Sequence, residues 1–143
     1  MRKILAAGTL LPLLLACGGA RRDGLPPIRS HVYQYTAWDE QGAEVVRGWM
    51  HLDKTRRGVE GEWWLQPVGN PASTGPQRGR GRLVGERRDG HLVIELNPDR
   101  RDDNVVLVET GKGRTLSGTW EWSGFAGVRG RGTWRAARTR EPG

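Results

Sequence analysis

The side chains that most often carry out catalysis or bind metals are sparse in this chain of 143 residues. The three histidines, His31, His51 and His91, lie far apart, so no pair has the spacing of a metal-binding motif such as His-Glu-x-x-His. The serines are few, and none lies in a Gly-x-Ser-x-Gly segment, the turn that exposes a catalytic serine. The sequence therefore predicts a protein that is not an enzyme and that uses neither a metal ion nor another cofactor.

A second candidate for chemistry is the segment from Asn97 to Asn104, which is rich in carboxylate and amide oxygens. Such oxygens are the ligands that hard cations prefer, but the segment lacks the Asp-x-Asp-x-Asp-Gly spacing of a calcium loop. Arg100 and Arg101 would also repel a cation. We expect a solvated turn here.

Arginines alternate with other residues along two segments, which places them on one face of an extended strand. The rows consist of Arg78, Arg80 and Arg82 in one segment and of Arg129, Arg131 and Arg135 in the other. Basic rows beside aromatic rings occur in nucleic-acid grooves. Glu60 and Glu62 precede the first row, however, and Glu121 precedes the second, so ion pairs across neighbouring strands account for both rows. We do not expect a nucleic-acid partner, because the chain also carries an export signal.

That signal precedes Cys17, the only cysteine of the chain. Arg2 and Lys3 are followed by the apolar residues 4–16, which are too few to cross a bilayer and have the length of a signal-peptide core. If the signal were of the ordinary secretory kind, it would be cut near Ala20 and Cys17 would be incidental.

The segment Leu14-Leu15-Ala16-Cys17 resembles the lipobox of bacterial lipoproteins. This resemblance implies that the signal peptide 1–16 is removed and that Cys17 bears a lipid with palmitate-type chains, which anchors the protein to a membrane. Gly18 stands where an aspartate would retain a lipoprotein in the inner membrane, so the resemblance implies the outer membrane, within the cell envelope and its periplasm. Residues 17–30 then form a flexible tether, because they combine Gly, Pro and Arg without an apolar period.

From residue 31 onward, apolar residues recur at every second position and turn-forming residues interrupt them. This pattern predicts eight strands, at 31–38, 44–53, 58–66, 78–86, 91–97, 104–110, 113–122 and 127–136. Asp89-Gly90 is a strong signal for a two-residue hairpin turn. Evenly spaced short strands predict an all-β domain at 31–137, an antiparallel meander that closes into a small barrel, with a disordered tail at 138–143.

Strand parity divides the 7 tryptophans between the two faces of this sheet. Three of them belong to Gly-x-Trp units, which are Gly61-Glu62-Trp63, Gly118-Thr119-Trp120 and Gly132-Thr133-Trp134. Glycine leaves room for a large ring from the neighbouring strand and allows the bends of a closing barrel. Trp122 shares the face of Trp120, so we predict that Trp63, Trp120, Trp122 and Trp134 form one buried structural cluster.

Two other tryptophans are candidates for ligand binding. Trp64 has the opposite parity to Trp63, and Trp49 alternates with Gly48 and Met50, so neither fits the apolar face simply. An exposed tryptophan can mark a binding surface. The alternative is that the long connection at 67–77 covers these rings.

The run of strands, the Gly-x-Trp units and the closing segment Gly132–Ala136 resemble small bacterial barrel lipoproteins and the avidin- or lipocalin-like (calycin-type) barrels. This resemblance implies a barrel with a ligand site at its mouth. The ligand-binding residues of those families have no counterparts here that match position by position.

These observations favour a binding module of the cell envelope that holds an apolar or amphipathic small molecule at the barrel mouth. The net charge of +7 favours anionic partners, although the excess is nearly all arginine, which genome composition also explains. Inward tryptophans bury about 150–250 Å² each and would fill much of a small barrel, so we expect a shallow site. The alternative is an interaction protein or enzyme inhibitor that presents its loops to another envelope protein.

Overall fold

The structure is a computed structural model, and it describes residues 30–69, 74–111 and 113–139. The strands are β1 Ser30–Asp39, β2 Glu44–Lys54, β3 Gly58–Pro67, β4 Gly79–Arg88, β5 His91–Glu95, β6 Asn104–Glu109, β7 Thr115–Gly124 and β8 Gly127–Arg138. The predicted signal peptide, Cys17, the tether up to residue 29 and residues 140–143 lie outside the described residues. Within the described ranges, no helix is long and apolar enough to span a bilayer.

Each strand pairs antiparallel with the next, and β1 also pairs with β8, so the sheet closes into a barrel. The predicted all-β class, the eight-stranded meander and its closure are therefore confirmed, and the architecture is consistent with a calycin-like body. The strand ends lie within two residues of the predicted ends, because turn-forming residues mark them. β8 runs to Arg138, the first residue of the predicted tail.

Because successive strands alternate in direction, the connections gather at two ends of the barrel. The capped end carries the connections 40–43, 68–78, 96–103 and 125–126. The terminal end carries the connections 55–57, 89–90 and 110–114, together with the start of β1 and the end of β8. At the terminal end, Asp89 and Gly90 form the predicted two-residue turn, with φ values of 51° and 83°, the positive sign that a type I′ turn requires at both positions.

Apolar side chains that alternate with exposed ones along the strands fill the barrel interior. The largest of the fully buried residues are Trp120, Trp134, Tyr35, Met50, Leu65, Leu83, Ile94, Leu96 and Leu107. Side chains thus occupy the space that a wider barrel would offer to a ligand. A binding site has to lie at an end of the barrel or on its outer wall.

The four tryptophans that the sequence assigns to the interior do not share one environment. Trp63, Trp120 and Trp134 are exposed by only 3%, 1% and 1% and belong to the core. Trp122 packs against this core but is only partly buried. It lies near the capped end, where the barrel wall opens toward solvent.

Two of the Gly-x-Trp units interlock across β7 and β8. Trp120 lies opposite Gly132, and Trp134 lies opposite Gly118. A Cβ atom on Gly132 would lie 2.6 Å from the Trp120 ring nitrogen and 1.8 Å from the carbonyl oxygen of Trp38. Gly132 therefore provides space both for the facing ring and for the close approach of β1, whereas Gly118 provides space for the close approach of the backbone at Val108.

Candidate functional site

The barrel wall is incomplete between β4 and β5 at the capped end. β4 pairs with β5 only over Val84–Arg88, against His91–Glu95. Among the described residues, Gly79–Leu83 have no partner strand on this side, because β5 ends at Glu95 and the chain turns away toward β6. A cleft opens here between β4 and the connection 96–103.

Trp63 closes the inner side of this gap. Its indole nitrogen donates to the carbonyl oxygen of Arg82 at 3.1 Å and also to that of Leu96, so one ring joins the two separated backbones. Gly81 faces Trp63 across the β3–β4 pair, and a Cβ at Gly81 would lie 2.7 Å from the ring. The buried indole thus has its donor satisfied and forms the floor of the cleft.

The connection between β3 and β4 forms one wall of the cleft above this floor. Gln77 and Thr74 are fully buried, although they are polar. The Tyr35 hydroxyl donates to Gln77 Oε1 at 2.9 Å, and Gln77 Nε2 donates to the Thr74 carbonyl at 3.3 Å. Burial raises the pKa of Tyr35, which keeps the phenol protonated as a donor. These bonds hold residues 74–77 of the connection inside the capped end, and we call this segment the plug.

Another wall of the cleft is formed by Trp122 and the residues that hold it. Its indole nitrogen donates to Asp103 Oδ1 at 2.6 Å, and the Arg129 guanidinium lies 3.7 Å from the same oxygen and 5.7 Å from the ring centroid. Gly75, with φ +58°, packs so closely that a Cβ would lie 2.4 Å from the ring. Trp122 is therefore fixed on one edge by a charged network and on one face by the plug.

The cleft enclosed by these walls has a volume of about 470 Å³. Its lining consists of Trp63, Trp122, Gly75, Pro76, Arg78, Arg80, Arg100, Asn97 and Asp103. The Nδ2 atom of Asn97 is buried and has no hydrogen-bond partner among the described atoms. An acceptor on a ligand would satisfy this donor.

The cleft is positively charged. Three arginines line it, and its single carboxylate, Asp103, is already held by Trp122 and Arg129. Within the part of the chain that the structure describes, no carboxylate lies within 4.0 Å of Arg78, Arg80 or Arg100. Guanidinium groups without partners around a concave surface favour an anion.

The two arginine rows therefore behave differently. Arg131 pairs with Glu121 at 3.2 Å, as the sequence predicts for the second row. In the first row, Arg82 lies opposite Glu62 in the β3–β4 register, but the two side chains do not come within ion-pair distance. The expectation that cross-strand pairing accounts for the first row is wrong, because two of its members turn toward the cleft instead.

The candidate ligand-binding residues Trp49 and Trp64 lie elsewhere, on the outer wall. They are direct partners in the β2–β3 pair and are exposed by 43% and 65%. The described part of the 67–77 connection enters the capped end and packs on Trp122, so it does not cover Trp64. The structure thus brings Trp49 and Trp64 together outside the cleft, and Arg80 lies at the boundary, because it pairs with Trp64 and lines both surfaces.

The histidines do not form a site in the described ranges. No group of three His, Cys, Asp or Glu side chains there has an arrangement that could hold a metal ion. The segment 97–104 is more than a solvated turn, since Asp102 Oδ1 accepts from the backbone nitrogen of Phe125 at 2.8 Å and Asp103 holds Trp122. Its carboxylates thus brace the cleft.

Sequence reasoning missed the cleft residues Arg78, Arg80 and Arg100 as a set. Strand parity places Arg78 and Arg80 on the outer face, and Arg100 belongs to a different connection. The three arginines line one opening because β5 ends at Glu95 and leaves Gly79–Leu83 without a partner strand on that side, among the described residues. Comparison of the chain with protein-family models, with curated proteins and with solved structures gave no match.

Proposed function

We propose that the protein is a non-enzymatic binding module of the bacterial cell envelope, lipid-anchored at Cys17, that holds an amphipathic anion in the cleft at the capped end. The observation that carries this proposal is the set of three arginines, Arg78, Arg80 and Arg100, which line the cleft without a carboxylate partner among the described residues.

The lining fits both parts of such a ligand. A guanidinium group binds a carboxylate, sulfate or phosphate through paired N–H donors. The rings of Trp63 and Trp122, with Pro76, offer apolar contact beside these donors. The cleft volume of about 470 Å³ is within the range of small-molecule sites, about 300–1,000 Å³. A wholly apolar ligand fits less well, because the barrel interior is occupied by side chains.

The test uses anilinonaphthalene sulfonate, a fluorescent amphipathic anion, titrated into residues 18–143, which contain every residue that the structure describes. We expect one saturable site whose affinity falls as salt is added, because ions screen the arginines. The double variant Arg78→Gln/Arg100→Gln, which changes two residues that line only the cleft, should bind at least about tenfold more weakly, a loss of about 1.4 kcal/mol.

The matched control is Arg57→Gln/Arg87→Gln, which removes the same charge at the terminal end. Equal loss in both double variants would mean that net charge, and not the cleft, determines binding. If only the cleft variant loses binding, mass spectrometry of small molecules that co-purify with wild type, but not with Arg78→Gln/Arg100→Gln, would identify the natural ligand.

A second candidate function is an interaction made through the capped-end loops. Phe125, at the tip of the β7–β8 hairpin, is exposed by 83%, and its backbone nitrogen donates to Asp102 Oδ1 at 2.8 Å. An exposed aromatic on a braced loop is a typical anchor for a protein partner. A photo-crosslinking residue at position 125 should then yield one discrete adduct in cells, whereas the same residue at position 87 should yield none.

A further inference from the structure

The outer wall carries a pair of exposed tryptophans that the proposed function does not use. Trp49 and Trp64 face each other across β2 and β3, and a depression lies on each side of the pair. The depressions have volumes of about 500 Å³ and about 140 Å³, and both rings line each of them. Indole surface is thus accessible from two sides, on a part of the sheet that no described loop covers.

Hydrogen-bonding side chains flank the pair along the same transverse row. Gln34 lies opposite Trp49 on the β1 side, and Arg80 lies opposite Trp64 on the β4 side. The amide of Gln34 and the guanidinium of Arg80 therefore lie on the two sides of the tryptophan pair. The amide offers both a donor and an acceptor, and the guanidinium offers donors.

The neighbouring row adds groups of both charges. Across β1 to β4 it reads Val32, His51, Glu62 and Arg82. Glu62, His51 and Arg80 line the larger depression together with the rings. The carboxylate of Glu62 is unpaired among the described residues and accompanies Arg80 on this surface, whereas the one carboxylate of the cleft, that of Asp103, is already held by Trp122 and Arg129.

These features together define the ligand chemistry. The C–H face of a sugar ring carries partial positive charge and packs on the electron-rich face of an indole. Its hydroxyl groups need both donors and acceptors, which the flanking side chains supply. Trp49 and Trp64 are direct partners on neighbouring strands, whose backbones lie about 4.8 Å apart, so the two indoles offer adjacent packing surfaces to consecutive units of one chain.

An anionic membrane surface fits the same wall less well. It would place the carboxylate of Glu62 against negatively charged headgroups, and like charges in contact are unfavourable. Charge balance, combined with exposed aromatic rings, therefore favours a neutral hydroxyl-rich ligand.

We propose that the outer wall around Trp49 and Trp64 binds a neutral oligosaccharide, with adjacent sugar rings packed on the two indoles and their hydroxyls bonded to Gln34, Glu62 and Arg80. This site shares Arg80 and Trp63 with the cleft, but Trp49 and Trp64 line only the wall. Arg78 and Arg100 line only the cleft, so variants of these residues test the two proposals separately.

Isothermal titration of residues 18–143 with chitotetraose and with cellotetraose tests this proposal. We expect saturable binding of at least one of the two sugars, with little dependence on salt because the ligand is neutral. Trp49→Ala and Trp64→Ala should each weaken binding at least tenfold, since each removes one packing surface. Val128→Ala, which removes an exposed apolar side chain on β8, is the control and should leave the affinity unchanged.

Three results would overturn the proposal. The first is no saturable binding of either sugar to the wild-type protein. The second is equal affinity in wild type, Trp49→Ala and Trp64→Ala. The third is adsorption of the wild type, but not of Trp64→Ala, to phosphatidylglycerol vesicles without any sugar binding, which would assign the wall to a membrane surface instead.

Discussion

Trp120 lies opposite Gly132 across β7 and β8, and its indole nitrogen donates to the carbonyl oxygen of Trp38, on the strand beyond, at 2.8 Å. The ring can reach that carbonyl only because Gly132 has no side chain between them. One glycine thus allows a buried donor to be satisfied and three strands, β7, β8 and β1, to be joined. Packing therefore explains why a glycine stands opposite Trp120.

The close packing of Gly132 against Trp120 predicts how one added methyl group at position 132 changes stability. Gly132→Ala should lower the free energy of unfolding by about 1–3 kcal/mol or more, because the new Cβ would overlap the Trp38 carbonyl and the Trp120 ring. Gly130→Ala, in the same strand and with the same parity, is the control. Its Cβ would meet Trp120 at an ordinary 3.4 Å, so we expect a change within about 0.5 kcal/mol. Equal effects in a urea titration would show that the strands separate to accept the methyl group.

The buried rings should dominate stability. Trp120→Ala and Trp134→Ala should each cost about 3–5 kcal/mol, which is a large share of the total of about 5–15 kcal/mol for a domain. Trp64→Ala should cost less than about 1 kcal/mol, because that ring is 65% exposed. Denaturant unfolding of the three variants side by side is the measurement. A Trp64→Ala variant as unstable as the other two would contradict the observed parity of β3.

Alkaline pH should lower the free energy of unfolding through Tyr35. Burial raises the pKa of this phenol above its ordinary value of 10.0, so the unfolded chain releases the proton first. The contribution of Tyr35 to stability is complete below about pH 10 and is lost above it, by about 1.4 kcal/mol per pH unit. Unfolding free energies measured from about pH 8 to about pH 11 should show this slope.

Tyr35→Phe tests the assignment. It should remove most of the alkaline slope while costing about 1–3 kcal/mol at neutral pH, because Gln77 Oε1 loses its buried donor. Tyr33→Phe is the control and should keep most of the alkaline slope. Burial also raises the pKa of Tyr33, Arg138 lowers it and Glu109 raises it, but this side chain is only partly buried. A slope that persists unchanged in Tyr35→Phe would assign the transition to other groups.

Cys17→Ser tests the lipid anchor. Without the thiol acceptor that the lipobox resemblance implies, the precursor should keep residues 1–16 and take up no labelled palmitate. Immunoblotting for precursor size and metabolic labelling are the measurements. Equal palmitate incorporation in wild type and variant would reject the assignment.

The sequence predicts the fold well because its signals are local. Asp89-Gly90 determines a turn by backbone conformation alone, and a period of two determines which residues face inward. The exposure of Trp64 and the burial of Trp63 follow directly from that period.

The cleft is harder to predict because it depends on where pairing stops. Arg80 and Arg100 belong to different segments, and nothing in the sequence shows that β5 ends at Glu95. Trp122 has the inward parity that the sequence predicts, yet it is partly exposed because it lies beside an opening in the wall. Likewise, the pairing of Trp49 with Trp64 depends on the β2–β3 register, which the strand pattern alone leaves open.

The pairing of β1 with β8 has a consequence for the order in which the barrel folds. Tyr33 pairs with Arg138, so the ring closes through residues roughly a hundred positions apart. The last strand is synthesised last, and until it pairs, β1 and β7 each present an unpaired edge. A chain that stops before β8 keeps those two edges, so it should aggregate or be degraded. Every folded copy therefore has to be translated through β8 before its first strand gains its second neighbour.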